Sequence, residues 1–441
     1  MATKKDLIEA QGFSRRRLLS AFTGGAPGGK ELDPAKPLRA VIAGIALTAA
    51  VILGGVFYGL IRPGLPQGWE NNRLVLASDT GARYLSVEGV LHPVINTASA
   101  RLLIPAGDFK VVSTDQGTLA GIEIGDTIGI VGAPDDLPAP DDLINTGWTA
   151  CVSGDAQTSV SISAAPDATP ATGDGAVVSR DGDLFVVAGG FRYAVAEDEA
   201  NAVLRAVGLG AASPVAVEGR WLNLFEPGDE LEAIELSDAG ASLRGTDLTV
   251  GTVVHAQGTP DDERYVVLES RELAPLSPLA YQLYLLGTGA DAEEREVSPA
   301  EIANLPTATT PAGGTGWPSA VLTELDAETV PCAVLGDELG VATTSLGSAP
   351  GATIDSPGVT VDIGAGALVQ AGAAAPRVLI DESGTAFPIP GTNTDLIERL
   401  GYAADDVGTV NPSWIDFFAA GPSLTPEAAG QSPSTDASSS R

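Results

Sequence analysis

Two cysteines, two histidines and one methionine are all that 441 residues contain of these types, and lysine occurs only five times. With no Cys-x-x-Cys and no Cys/His cluster, zinc binding and thiol redox cycling lack their ligands. His92 and His255 stand alone, one beside Pro93 and the other in a strand-like run at residues 250–256. Ser99 lies in no Gly-x-Ser-x-Gly, so a serine triad has no support and no catalytic residue is assigned. Aromatics make up 5% of the chain, so each of the five tryptophans is read as an anchor or a stacking platform. Basic residues are few beyond residue 39: the first 39 residues carry eight Lys/Arg against four Asp/Glu, and the remainder sixteen against fifty-three, a net −37. So acidic a body excludes nucleic acid as a partner and repels free phosphates.

Long apolar runs are equally scarce, and the single one decides the topology. Residues 40–61, AVIAGIALTAAVILGGVFYGLI, carry no charge over 22 positions. As a helix rising about 1.5 Å per residue they span about 33 Å, enough for a hydrocarbon core of about 30 Å. Arg39 and Arg62 bracket the run, and Phe57 and Tyr58 sit where an aromatic belt belongs. The excess of Lys/Arg on the N-terminal side places residues 1–39 in the cytoplasm and residues 63–441 outside. A cleaved signal peptide is the rival, but the run starts late and no small-x-small site follows it. Arg15-Arg16-Arg17 suggests a twin-arginine signal; its distance from the apolar run favours a cytoplasmic amphipathic segment instead.

What the sequence does have is repetition. Val203, Leu204, Val207, Gly208, Val217, Trp221, Leu222, Leu224, Phe225, Gly228 and Leu231 recur 193 residues later without a gap. Their counterparts are Leu396, Ile397, Leu400, Gly401, Val410, Trp414, Ile415, Phe417, Phe418, Gly421 and Leu424. A weaker match at offset 182 carries Leu91, Pro93, Ala98, Leu102 and Leu103 onto Leu273, Pro275, Ala280, Tyr284 and Leu285. Fixed-offset recurrence of apolar, aromatic or Gly character marks a duplicated supersecondary unit. Cys151 and Cys332, 181 apart, fit the same duplication and read as a disulfide joining the halves in an oxidising compartment; two buried free thiols are the alternative. Trp221, Phe225, Trp414 and Phe418 are the expected core anchors of the repeated units.

The expected fold is α+β and β-rich: one N-terminal transmembrane helix, then an elongated, internally duplicated region of four small repeat units around a central β domain. The layout is a basic arm (1–39), the helix (40–61), a stalk (63–72), repeat unit 1 (73–113), the central domain's first part (114–175), repeat unit 2 (176–245), repeat unit 3 (262–302), the central domain's second part (319–376), repeat unit 4 (377–428) and a disordered tail (429–441). Within it, strands at 73–78 and 83–87 flank Asp79-Thr80-Gly81, a helix opens at Pro93 and runs to about Ile104, and a strand covers 109–113. Residues 122–131 alternate as a strand pair turning at Gly125-Asp126, and 153–175 form a Ser/Ala/Asp loop. Hairpins at 176–187 and 378–389 each precede a helix, ended by Gly208 and by Gly401.

Sites that resemble chemistry dissolve on inspection. Gly24-x4-Gly29-Lys30 imitates a phosphate loop, but Glu31 stands where Ser/Thr would hold magnesium and Asp33-Pro34 breaks the helix that should follow. Asp135-Asp136, Asp141-Asp142 and Asp261-Asp262 are carboxylate pairs in Pro-containing loops, read as solvated rather than hydrolytic. No EF-hand spacing is present. No metal or cofactor is expected. Trp69, Trp148 and Trp317 are the freer tryptophans, open to sugar stacking.

Several stretches together carry a family likeness. Gln11-Gly12-Phe13 and Arg16-Arg17-Leu18 precede the membrane run. Gly89-Val90-Leu91-His92-Pro93-Val94-Ile95-Asn96 with Ala98-Ser99-Ala100-Arg101-Leu102 is the most specific. Ile128-Gly129-Ile130-Val131-Gly132-Ala133-Pro134, Trp148-Thr149-Ala150-Cys151, Gly364-Ala365-Gly366-Ala367-Leu368-Val369, Leu400-Gly401-Tyr402 and Gly421-Pro422-Ser423-Leu424 complete it. With these the chain resembles the EccB family of the actinobacterial type VII secretion apparatus. The departure is in the arm, where Gly/Pro-rich residues 24–29 replace the family's second basic cluster. The resemblance implies a single-pass inner-membrane protein with a short cytoplasmic arm and a large periplasmic region of four repeat units, a central β domain and a disulfide. It further implies self-association, assembly with EccC, EccD and EccE, and a role in exporting small helical-hairpin substrates. Its repeat units look like modules proposed to bind peptidoglycan, and some family members are described as ATPases, though no intact phosphate loop stands here.

Overall fold

The computed structural model describes residues 3–24, 37–61, 64–153, 156–260, 262–291, 294–313, 316–338, 340–351, 357–372, 374–391 and 394–433. Two helices lead. Helix α1 (Lys4–Gly24) carries the arm, and α2 (Pro37–Ile61) holds the apolar run. The window Ala40–Tyr58, with mean hydropathy 2.4, is long and apolar enough to cross a membrane, and none of it is buried against the rest of the protein.

Beyond α2 the chain folds into five sheets. The first takes β1 (Arg73–Ala77), β2 (Ala82–Val87), β3 (Val90–Pro93) and, after α3 (Thr97–Leu103), β4 (Val111–Thr114), in the order β3-β2-β1-β4. The chain then lays down β5 (Thr149–Val152), β6 (Thr158–Ile162) and β7 (Thr169–Pro170). A second sheet has β8 (Asp174–Arg180), β9 (Asp183–Ala188), β10 (Phe191–Val195), α4 (Ala200–Ala206), β11 (Val215–Ala216), α5 (Gly219–Leu222) and β12 (Glu226–Pro227), ordered β11-β8-β9-β10-β12. A third has β13 (Val253–Ala256), β14 (Arg264–Val267), β15 (Leu273–Leu276), α6 (Pro278–Leu286), β16 (Glu294–Val297) and α7 (Pro299–Ile302), ordered β15-β14-β13-β16.

β17 (Thr323–Glu324) returns to β8, and the long hairpin β18 (Thr329–Glu338) and β19 (Val341–Pro350) is followed by β20 (Gly358–Val361). The last sheet has β21 (Ala367–Gln370), β22 (Arg377–Ile380), β23 (Thr385–Ile389), α8 (Asp395–Leu400), β24 (Gly408–Thr409), α9 (Pro412–Ile415) and β25 (Ala419–Ala420), with α10 (Pro426–Ala429) closing the chain; its order is β24-β21-β22-β23-β25. The first and third sheets share one strand order, and the second and last share another. The fifth sheet, β20-β6-β5-β18-β19-β7, draws strands from both halves of the sequence.

Local chemistry explains the elements. Gly208 and Gly401 end α4 and α8 at φ of +92° and +103°, a left-handed position that β-carbons resist. Gly228 and Gly421 recur for a different reason: a Cβ at either would drive into an aromatic ring, Tyr193 or Phe387. Ser277 caps α6 by accepting from the Ala280 N–H at 3.1 Å, with Pro278 at the first helical position.

Several expectations give way. Pro93 does not open a helix; it ends strand β3, opposite Tyr84, and Asn96 caps α3 by accepting from the Ser99 N–H at 3.0 Å. His92 therefore sits in a strand. Residues 122–131 make no strand pair: only single bridges join Ile124 to Leu91 and Ile128 to Val94, because Gly125 lies flat against the His92 ring and Gly129 against Ile95. The Ser-rich stretch 153–175 is not all loop, since β6 buries Thr158, Val160 and Ile162 on one face. The fourth strand of the first sheet starts at Val111, not at residue 109.

Boundaries move as well. β13 and β21 join the third and last sheets, extending them before residues 262 and 377. Ala429 is fully buried on α10, so the proposed tail begins inside packed structure, while residues 434–441 lie outside those described. Residues 25–36, which include most of the imitation phosphate loop, also lie outside them.

Candidate functional site: a stapled centre

The most constrained part of the molecule is where the halves meet. β5, from the first half, pairs antiparallel with β18, from the second, and places Cys151 directly opposite Cys332. The two are disulfide-bonded, with Cα atoms 4.0 Å apart across 181 residues of sequence. Both are buried, among Ala168, Val334 and Ala349. Closing a loop of that length contributes roughly 5 kcal/mol in the chain-entropy description.

The opposite layer is aromatic. Trp148, Trp221 and Trp414 are all fully buried in one cluster that joins the central sheet to the second and last sheets. Each indole N–H finds a partner: Trp221 donates to the Ala150 carbonyl on β5 (2.8 Å), Trp414 to Thr344 Oγ1 on β19 (2.9 Å), and Trp148 to the Ile144 carbonyl (2.6 Å). Trp148 meets Trp414 edge-on at 6.1 Å and Phe418 at 5.4 Å, and Trp221 stacks obliquely on Phe225 at 5.0 Å. Withdrawing a tryptophan from water buries roughly 200 Å², worth about 5 kcal/mol before entropy is charged. Trp148 is thus no sugar platform. It lacked a repeat partner in the sequence, so the offset that flagged Trp221 and Trp414 passed over it. Trp317 is half-covered and donates to the Asp229 carbonyl at 3.3 Å.

Titratable groups serve the framework. His92 Nδ1 sits 3.1 Å from the Asp126 carbonyl, and His255 Nε2 3.0 Å from that of Pro260. Asp135 is not idle in a solvated loop: Arg83 pairs with it, and it accepts the Thr97 N–H at 3.0 Å at the start of α3. Burial alone would raise its carboxyl, but the bonds from Arg83 and Thr97 outweigh it and hold the group below the ordinary value. Burial pushes the Tyr193 phenol up to about 12, and its hydroxyl donates to Gly316 O at 2.6 Å. Among the described residues no group of three His, Cys, Asp or Glu side chains could hold a metal ion.

Two clefts on the folded body are open. One of about 380 Å³ is lined by Arg83, Tyr84, Ile95, Thr127 and Asp135, and one of about 520 Å³ by Asp229, Glu230, Glu232, Glu235 and Trp317. Neither brings together a nucleophile, a base and an oxyanion donor. The geometry is that of a covalently stapled body preceded by a helix long and apolar enough to cross a membrane.

Comparison with known proteins names its kind. The family model for the type VII secretion system ESX-1 transport TM domain B matches residues 1–436. The chain is 30% identical to the ESX-3 secretion system ATPase EccB3 of Mycolicibacterium smegmatis over 78% of its length and 68% of the relative's. It is 28% identical to the ESX-5 secretion system ATPase EccB5 of Mycobacterium tuberculosis H37Rv over 63% of its length and 58% of that protein's. In fold it resembles a chain of the intact ESX-5 inner membrane complex (TM-score 0.69, 20% identity, covering 100% of this chain and 97% of that one). It also resembles the EccB3 dimer of the ESX-3 core complex (TM-score 0.64, 24% identity, covering 81% and 99%). The chain belongs to the EccB family.

Proposed function

We propose that this protein is a core structural component of a type VII secretion complex in the inner membrane, scaffolding or gating export on the periplasmic side. The observation that carries the reading is a family match over residues 1–436, which takes in the apolar helix and the stapled centre. In this reading residues 1–39 are cytoplasmic and residues 63–441 periplasmic, a sidedness that the Lys/Arg excess before α2 favours. Four repeat units at 73–113, 176–245, 262–302 and 377–428 stand around a central domain built from 114–175 and 319–376, the outer limits shifting to include β13 and β21. The paired strand orders and the shared offsets support that layout.

EccC, EccD, EccE and a second copy of this chain are its partners. The name ATPase belongs to the relatives, and the clefts of this chain supply no phosphate cradle among the described residues. The test is purification of the detergent-solubilised protein from its native membrane. Co-recovery with the other Ecc subunits at fixed stoichiometry is expected; recovery as a lone chain refutes the assignment.

A further inference from the structure

Helix α1 exposes an apolar stripe that the rest of the protein leaves open. Leu7, Ile8, Leu18, Leu19 and Phe22 are 60 to 89% exposed, and Phe13, 54% exposed, stands alone on the opposite side. At 100° per residue the five fall within an arc of about 120°, with Phe22 at its middle, Gln11 inside it and Glu9 on the other side of the helix. Lys4 and Arg15 rise from the same arc, and Lys5 flanks it. The helix holds five cations against Asp6 and Glu9. That sign is the reverse of everything beyond residue 39.

We propose that α1 lies flat on the anionic lipid headgroups of the bilayer that α2 enters, with its apolar arc sunk to the acyl boundary. Long basic side chains can lay their stems along such a face and keep their charge among the headgroups. Charge complementarity selects the lipid surface, since the acidic body of a second copy would offer no apolar floor for the arc. The tether agrees. Only residues 25–36 separate α1 from α2, a reach of about 40 Å when fully extended, so the helix is held at high effective concentration beside the membrane. Attraction of this kind needs both terms, because apolar area and headgroup charge each bind weakly alone. The contact depends on the anchor and not on the export role, and vesicles with one lipid composition on both faces score it whichever side holds Met1.

The full-length protein, oxidised so that Cys151 and Cys332 stay unreactive, is reconstituted with an environment-sensitive fluorophore on Gln11→Cys or, separately, on Glu9→Cys. In vesicles containing phosphatidylglycerol, the label at position 11 should be quenched by acyl-chain spin labels at least threefold more than the label at position 9. That contrast should vanish in pure phosphatidylcholine, in 0.5 M salt, or in the Lys4→Gln/Lys5→Gln/Arg15→Gln variant. Equal quenching at both positions in anionic vesicles overturns the proposal. So does protection of position 11 that appears only when other membrane proteins are added, which would assign the stripe to a protein partner. Circular dichroism of the variant, unchanged from the parent, separates lost contact from lost helix.

Discussion

Two helix pairs hold the outer sheets to the inner ones, and they solve one problem with different chemistry. α6 of the third sheet packs on α4 of the second through Leu279, Leu283 and Tyr284 against Val203, Leu204 and Val207, one continuous apolar cluster. α3 of the first sheet packs on α8 of the last, but at offset 182 Arg101 stands where Leu283 stands, and at offset 193 Arg399 replaces Ala206. There the two arginines reach across reciprocally: Arg101 Nη1 donates to the Leu400 carbonyl and Arg399 Nη1 to the Leu102 carbonyl, each at 3.0 Å. Arg101 also lies over the Phe109 ring at 4.4 Å, its Nε has no hydrogen-bond partner, and burial lowers its pKa from the ordinary value. Helix α10 then covers α3 with Ala429, while in the other pair Leu231, Ile234 and Leu236 pack against α4 and α6. Directional bonds to helix-end carbonyls fix the register of one pair. Apolar packing joins the helices of the other.

The contrast can be broken from either side. The largest effect should come from Leu283→Arg, which puts an unpaired charge into the apolar pair; a loss of about 3–5 kcal/mol in urea unfolding is expected, and a loss under 1 kcal/mol would show that the pairs are interchangeable. Next is Cys151→Ser, expected to cost up to about 5 kcal/mol in oxidised protein and nothing once both proteins are reduced; equal melting without reductant would mean that the staple contributes nothing. Arg101→Leu copies the apolar pair's residue into the polar one. It frees the Leu400 carbonyl but removes a half-buried charge, so unfolding should shift by about 1–2 kcal/mol or less.

The smallest effect belongs to Asp135. Its folded pKa is depressed, so the stability it adds is complete above the ordinary carboxylate value and disappears as pH falls through the lowered one. Asp135→Asn should therefore flatten the acid limb of a melting-temperature profile below about pH 4, with little change at pH 7. An unaltered acid limb would assign that limb to other carboxylates.

Much of the architecture was legible because turn chemistry and repetition are local signals. Asp79-Thr80-Gly81 and the glycines ending α4 and α8 mark their elements without tertiary help, and the shared offsets pair Trp221 with Trp414 and Cys151 with Cys332. What escaped depends on partners distant in sequence. β6 reads Thr-Ser-Val-Ser-Ile, whose alternation is masked by serine until β5 and β20 flank it. The hairpin β18–β19, ten residues in each strand, carries Pro331 and many small residues, weak strand formers that acquire their state from pairing. Pro93 and Pro278 look alike as helix openers, yet only Pro278 follows a serine that caps; Pro93 is claimed by the ladder of β2. The basic arm gave its charge in sequence, but its apolar arc becomes visible only once residues 4–24 are wound as a helix.

The bridge at Cys151 also fixes how tension would run through the chain. A pull between the anchor and the far end crosses from β5 to β18 through sulfur, so the 181-residue excursion between them, with the second and third sheets inside it, is shunted out of the mechanical circuit. Stretched end to end, oxidised molecules should keep about 600 Å of contour hidden that reduced ones release. The first and last sheets, with β18, β19 and β20 of the central one, would feel the strain.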